Sequence, residues 1–166
     1  MDILRKIERY REEEQKLKWE GTFAEYLELL KERPLIAQSA HSRVYIMIKD
    51  SGIEKVNGTK HYNFFSKQMF GLEDSLERLV EEYFHPAAKR LDVRKRILLL
   101  MGPVSGGKST LVSLLKRGLE QYSHTDHGAI YAIKSCPVHE VPWHLIPQYL
   151  RGDFFKEYGI KIEGNL

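Results

Sequence analysis

The chain has 166 residues, enough for one compact domain with a short companion and too few for two full catalytic domains. Its 42% hydrophobic and 30% charged residues exclude disorder throughout, and 26 Lys+Arg against 23 Asp+Glu leave a net charge of +3, too small an excess to mark a nucleic-acid surface. A single cysteine excludes an internal disulfide framework and points to a reducing compartment.

Residues Ile3 to Trp19 lack Pro and Gly, and Ile3, Ile7, Tyr10, Glu14 and Leu17 approximate a helical face, a thin one that Glu14 interrupts. The charged start, Met1 to Tyr10, has no apolar core of the signal-peptide kind. After Gly21, Thr22 is placed to cap a second helix over Phe23–Leu30, with Glu25 completing a capping box and Pro34 closing the segment. Ala40 to Lys49 reads as a third helix, although Val44, Ile46 and Ile48 also suit a strand. Ser51-Gly52 ends it. Residues 50 to 69 show little periodicity beyond the Asn57-Gly58 turn signal and read as a linker or irregular packing.

The best helix starts at Glu73 and runs to about Leu91, with Leu76, Leu79, Val80, Tyr83, Phe84, Ala87, Ala88 and Leu91 as a broad apolar stripe and Pro86 as a kink or break. Ile97 to Met101 reads as a strand buried on both faces and, as the longest strongly apolar run, is far too short to cross a bilayer. Ser109 to Gln121 is helical, with Leu111, Val112, Leu114, Leu115 and Leu119 facing a sheet and Gly118 as a weak point. Ala129 to Lys134 is a second strand. Beyond it, Pro137, Pro142 and Pro147 divide an aromatic, His-rich stretch. The expected organisation is a helical N-terminal region, 1–60, and a nucleotide-binding part, 61–166, in a cytoplasmic protein without a membrane partner.

Gly102-Pro103-Val104-Ser105-Gly106-Gly107-Lys108-Ser109-Thr110 fits the Walker A pattern G-x-x-x-x-G-K-[S/T], between an apolar strand and an amphipathic helix. Phosphates crowd negative charge into a small volume. Gly102, Gly106 and Gly107 let the backbone close around them, and inward amides of residues 105–109 with the helix start supply positive ends of dipoles. Lys108 is the expected catalytic charge at the β- and γ-phosphates of ATP. Ser109 is the expected Mg²⁺ ligand, and Thr110 the expected α-phosphate contact. In Phe70-Gly71-Leu72, Gly71 lets the backbone pass close to a flat adenine ring and Phe70 and Leu72 offer apolar walls; the same residues also suit an ordinary turn at a helix start.

Two weaker signals read as surface features. His139, Glu140 and His144, with Cys136 nearby, lack the spacing of a H-E-x-x-H zinc helix, and Pro142 divides them. The run Lys89-Arg90…Arg94-Lys95-Arg96 suits a solvated helix end.

Several segments together resemble the PrkA family of bacterial serine protein kinases, built on an AAA+ ATPase module. They are Trp19-Glu20-Gly21-Thr22-Phe23 with Tyr26-Leu27, Ala40-His41 with Arg43 to Ile48, Phe70 to Glu73, Glu81 to Phe84, Ala87-Ala88, Ile97 to Ser109, and Cys136 to Glu140 with His144 to Pro147. The resemblance covers nearly the whole chain, and the Cys-Pro-Val-His-Glu and opening segments are its selective parts. It implies an α/β P-loop NTPase fold of AAA+ type behind an N-terminal helical segment. It also implies transfer of the ATP γ-phosphoryl group to protein serine, a protein substrate, a homo-oligomer in the full-length form, and a link to stress or sporulation physiology. No apolar strand ending in Asp-Glu follows the loop, and no sensor residue or arginine finger can be placed. The expectation is a sheet that stops before completion in a chain inactive alone and poorly stable.

The residues leave other functions open. An AAA+ machine remodelling or degrading proteins would use ATP as fuel, and a regulator would bind nucleotide without turnover. A small-molecule P-loop kinase suits the long helical extension poorly, and H-R-D and D-F-G, the marks of the common protein kinases, are absent.

Overall fold

The computed structural model describes residues 3–89 and 97–159. Within them the fold is mixed α/β: helices, one two-stranded sheet and a long irregular stretch over 124–141. Contacts gather the chain into two units, one from residues 3–37 and 122–159, the other from 38–89 and 97–121.

In the first unit, α1 (Ile3–Leu17) is a highly charged helix whose apolar residues Ile3, Leu4, Ile7 and Tyr10 stay exposed. The side chains of Glu14 and Leu17 lie outside the described set. Helix α2 (Phe23–Glu32) starts on the expected capping box: the Glu25 amide donates to Thr22 Oγ1 at 3.3 Å, and the Thr22 amide donates to Glu25 Oε2 at 2.6 Å. It buries Tyr26, Leu27 and Leu30, and Pro34 opens a 3₁₀ turn, Pro34–Ala37, that buries Ile36 and Ala37. Further along, a 3₁₀ turn over Pro142–Leu145 leads to helix α8 (Gln148–Glu157), where Trp143, Ile146 and Phe155 pack away from water.

The strand expected over Ala129–Lys134 does not form. Burial nevertheless alternates along it, with Ala129, Tyr131 and Ile133 turned inward and Ile130, Ala132 and Lys134 exposed. The side-chain sorting of a strand is present without a ladder: the Ile133 amide donates to the Glu140 carbonyl at 2.9 Å, but the only sheet among the described residues is the β1–β2 hairpin, which does not include this stretch.

In the second unit, Ala40–Asp50 is helix α3; Ser39 Oγ accepts the Ser42 amide at its start. Capping thus decides for helix over strand. The stretch expected as a linker is a hairpin: β1 (Ile53–Val56) pairs antiparallel with β2 (Thr59–Tyr62), Ile53 opposite Tyr62 and Val56 opposite Thr59. Asn57 and Gly58, with φ of 52° and 92°, make the tight turn whose twist matches the strands. The short helix α4 (Asn63–Ser66) follows and buries Phe65.

Next come α5 (Glu73–Arg78), a π-helical segment (Leu79–Phe84) and α6 (His85–Ala88). Pro86 has no N–H for the carbonyl four residues back, and the wider turn ahead of it absorbs that loss. Leu76, Val80, Phe84 and Ala87 form the buried stripe; Leu91, like Arg90 and Arg94 to Arg96, lies outside the described residues.

The hairpin is fastened to this helix by acids on one face. Asp74 Oδ1 accepts from Thr59 Oγ1 at 3.2 Å, Glu77 Oε1 from the Lys60 amide at 3.1 Å, and Glu81 Oε1 from Lys60 Nζ at 2.7 Å and Tyr62 Oη at 2.6 Å. Burial alone would raise the Glu81 carboxyl, but the bonds from Lys60 and Tyr62 and the charges of Lys60 and His85 outweigh it and hold it below the ordinary 4.5. Its stabilising contribution is therefore full above that value and lost as pH falls through the folded one. Glu81→Gln is expected to flatten the loss of stability between about pH 5 and 3, read from urea unfolding at stepped pH. An acid limb as steep as that of the unaltered protein would refute it. Lys60 is shifted above 10.5, chiefly by its bond to Glu81, so its share fades only on the alkaline side.

Ile97–Met101 is the clearest departure from expectation. It is not a buried strand: Ile97 is 94% and Met101 82% exposed, and no ladder includes them. An interior strand needs hydrogen-bonding neighbours on both edges, and none of the described segments supplies one. Helix α7 (Lys108–Ser123) then extends the expected helix by one residue at its start and two at its end and buries Leu111. Gly118, expected as a weak point, is a contact point: a Cβ there would lie 2.6 Å from the Phe64 ring and 2.9 Å from Met47 Sδ. No helix among the described residues is long and apolar enough to cross a membrane.

Candidate phosphate-binding site

Residues 102–107 form a tight loop running into α7. Gly102 and Gly107 have φ of 156° and 77°, and Ser105 adopts 66° without being glycine. Gly106 serves differently: its amide donates to the Pro103 carbonyl at 3.2 Å, and a Cβ there would come within 3.0 Å of that same oxygen. The glycines thus answer two needs, left-handed backbone at 102 and 107 and close approach at 106.

The first intrahelical bond of α7 runs from the Leu111 amide to the Gly107 carbonyl at 2.8 Å. The amides at 108–110 therefore belong to the first turn and have no carbonyl partner within the helix. Lys108 folds back over the loop: Nζ donates to the Gly102 carbonyl at 2.8 Å and to the Pro103 carbonyl at 2.5 Å. Ser109 and Thr110 are exposed. The arrangement suits a polyphosphate: first-turn amides, a lysine within reach and a loop with room for close approach. It suits Mg²⁺ in a limited way. Ser109 offers one hydroxyl, and no group of three His, Cys, Asp or Glu among the described residues could hold a metal, so further ligands would come from phosphate oxygens and water.

The Phe70–Leu72 turn lies against this loop. The Cβ position of Gly107 is 3.3 Å from Met69 Cε and 3.4 Å from Leu72 Cδ1. Gly71 has φ 71° with open space on its Cβ side, and Phe70 is 75% exposed. The turn is held by the Glu73 carboxylate, which accepts the Gly71 amide at 3.0 Å. Its own backbone amide and that of Gly71 hold the Glu73 carboxyl below its ordinary value. Two motifs far apart in sequence thus meet. Met69, which no motif singled out, is the residue between them; its only sequence signal is an apolar side chain just ahead of Phe70.

The His-rich stretch does not gather into a metal site among the described residues. Glu140 pairs with His144 through Nδ1, while Cys136 is half-buried and His139 exposed. Of the basic run, only Lys89 is described, and it is exposed.

Comparison with known proteins shows the family. The family described as the PrkA AAA domain matches residues 21–166. The chain is 75% identical over all 166 residues to the ATP-dependent protease PrkA of Bacillus subtilis (strain 168), of which it spans 26%. It is 76% identical over 97 residues, 58% of this chain and 100% of the other, to an uncharacterized protein in the gldA 5′ region of Geobacillus stearothermophilus. It is 36% identical over 99 residues, 57% of this chain and 14% of the other, to the serine/threonine kinase YeaG of Escherichia coli (strain K12). No solved structure matches the chain.

Proposed function

The chain belongs to the PrkA AAA domain family, and on that footing we propose that it is the ATP-binding part of a longer enzyme that transfers the γ-phosphoryl group of ATP to protein serine. The observation that carries this is Lys108 bridging the loop carbonyls at the start of α7, with the Phe70–Leu72 turn packed beside Gly107.

In this reading Gly102, Pro103, Val104, Ser105, Gly106 and Gly107 wrap the phosphates, and the first-turn amides of Lys108, Ser109 and Thr110 donate to them. Lys108 leaves its carbonyls for phosphate oxygens and neutralises charge there. Phe70, Gly71 and Leu72 flank adenine, and Ser109 is the residue that would hold Mg²⁺. When bound, the ion supplies positive charge across the phosphate oxygens. The nucleotide-binding part is 61–166, behind a helical region 1–60. The longer protein is cytoplasmic, assembles with copies of itself and acts on a protein in stress or sporulation physiology; family resemblance alone supports these last points.

A second reading has its own support: the relative matched over the whole chain is named an ATP-dependent protease, so ATP would then be fuel for degradation. The two separate by where the phosphate goes. With γ-labelled ATP, the longer protein is expected to leave label on serine of a protein. Label released entirely as inorganic phosphate, with proteolysis rising in step, would favour the second reading over the first. For the chain itself, calorimetric titration is expected to show ATP binding that Mg²⁺ strengthens; no heat of binding would remove the nucleotide reading.

A further inference from the structure

A groove of about 950 Å³ lies in the first unit, lined by residues around the start of α2 and by the irregular stretch 129–134. That is near the top of the roughly 300–1,000 Å³ usual for ligand pockets, room for a short peptide rather than for one side chain. Its wall carries four aromatic rings. Trp19 meets Tyr131 edge-on, with centroids 5.4 Å apart and planes at 83°, and Tyr131 meets Tyr26 at 6.2 Å and 67°. Phe23 continues the row, 6.5 Å from Tyr26. Gly21 makes room for the indole: a Cβ there would stand 2.5 Å from Trp19 Cζ2 and 2.8 Å from Cη2.

Two polar tips on this wall are unspent. Trp19 Nε1 and Tyr131 Oη make no hydrogen bond among the described residues, and neither is sealed from solvent. An indole N–H can only donate, and a phenol O–H donates readily. Charge on the rim is balanced, Lys18 and Lys134 against Glu20 and Glu25. Lys134 Nζ holds Glu20 Oε2 at 3.0 Å, Glu25 is committed to Thr22, and the His124 ring faces Tyr10 at 6.3 Å. The groove therefore suits an uncharged segment that presents flat apolar rings and carbonyl acceptors. A run of prolines does both. It has no N–H to leave unpaired, its backbone carbonyls are free to accept, and its polyproline II shape is ordered before binding.

We propose that this groove binds a proline-rich segment of a partner protein, with proline rings seated against Trp19, Tyr131 and Phe23 and peptide carbonyls accepting from Trp19 Nε1 and Tyr131 Oη. The site is built from residues of the first unit alone and does not depend on the ATP reading.

The test is calorimetric titration of the full chain with an oligoproline peptide and with a peptide of equal length alternating valine and threonine, which favours strand pairing instead. Saturable binding is expected for oligoproline alone. Trp19→Phe and Tyr131→Phe each keep a ring and remove a donor, and each is expected to weaken that binding about fivefold. Trp19→Ala also removes the stacking surface and is expected to weaken it more than about tenfold. Circular dichroism checks each fold. Binding unchanged in both phenylalanine variants would overturn the proposal. So would failure of oligoproline to bind, or equal binding of the proline-free peptide.

Discussion

Lys108→Ala is expected to weaken ATP binding by about ten- to a hundred-fold while leaving the far-ultraviolet circular dichroism unchanged. Among the described residues the half-buried side chain makes two hydrogen bonds, both to carbonyls of its own loop. Its removal therefore costs the fold little. Its loss to a polyphosphate is larger, because hydrogen bonds to charged groups contribute about 1.5–3 kcal/mol. Lys108→Arg is expected to rescue poorly: a planar fork does not replace a compact ammonium inside a loop closed this tightly. The measurement is calorimetric titration with ATP and Mg²⁺ on protein confirmed as folded. Affinity equal to that of the unaltered chain would end the role given to Lys108.

Gly128→Ala is expected to lower the stability of the first unit by about 3 kcal/mol. A Cβ on Gly128 would stand 1.8 Å from the Tyr122 carbonyl oxygen and 2.5 Å from its carbon. These are backbone atoms at the end of α7, which cannot swing aside as a side chain does. The Gly128 amide is also bound, donating to the Thr125 carbonyl and Oγ1, each at 3.1 Å. Opening the turn to admit the methyl breaks that pairing. Gly152→Ala is the contrast. It lies inside α8 with nothing within 4 Å of its Cβ position, so alanine is expected to add about 0.8–1 kcal/mol through helix propensity. Urea unfolding followed by circular dichroism reads both. Coincident curves for Gly128→Ala and the unaltered protein would contradict the packing at Tyr122.

What the sequence made legible was what chemistry or local capping dictates. The tight loop ahead of α7 could be read because those glycines, that lysine and that hydroxyl in one order call for a close turn into a helix. Thr22 and Glu25 announced α2 because a capping box is a local device. The hairpin was hidden because strands of four residues show too little alternation, and Asn57-Gly58 was its one trace. Ile97–Met101 and Ala129–Lys134 misled for a different reason. An apolar or alternating pattern states which way side chains prefer to face, whereas a strand exists only when another backbone lies beside it. The roles of Met69 and Gly118 could not be read at all, since each depends on a neighbour distant in sequence. The acids Asp74, Glu77 and Glu81 drew no reading from the sequence, because their partners Thr59, Lys60 and Tyr62 come from the hairpin.

The missing Cβ at Gly118 has a mechanical consequence. It lets α7 settle directly on Phe64, whose ring meets Phe65 edge-on at 5.0 Å. The same helix begins at Lys108, about 15 Å away along its axis. One stiff rod therefore seats its front end under the loop at 102–107 and its middle on the Phe64–Phe65 pair, so the two stations keep a fixed spacing. Any bulk added at the fulcrum would tilt the rod and detune both together.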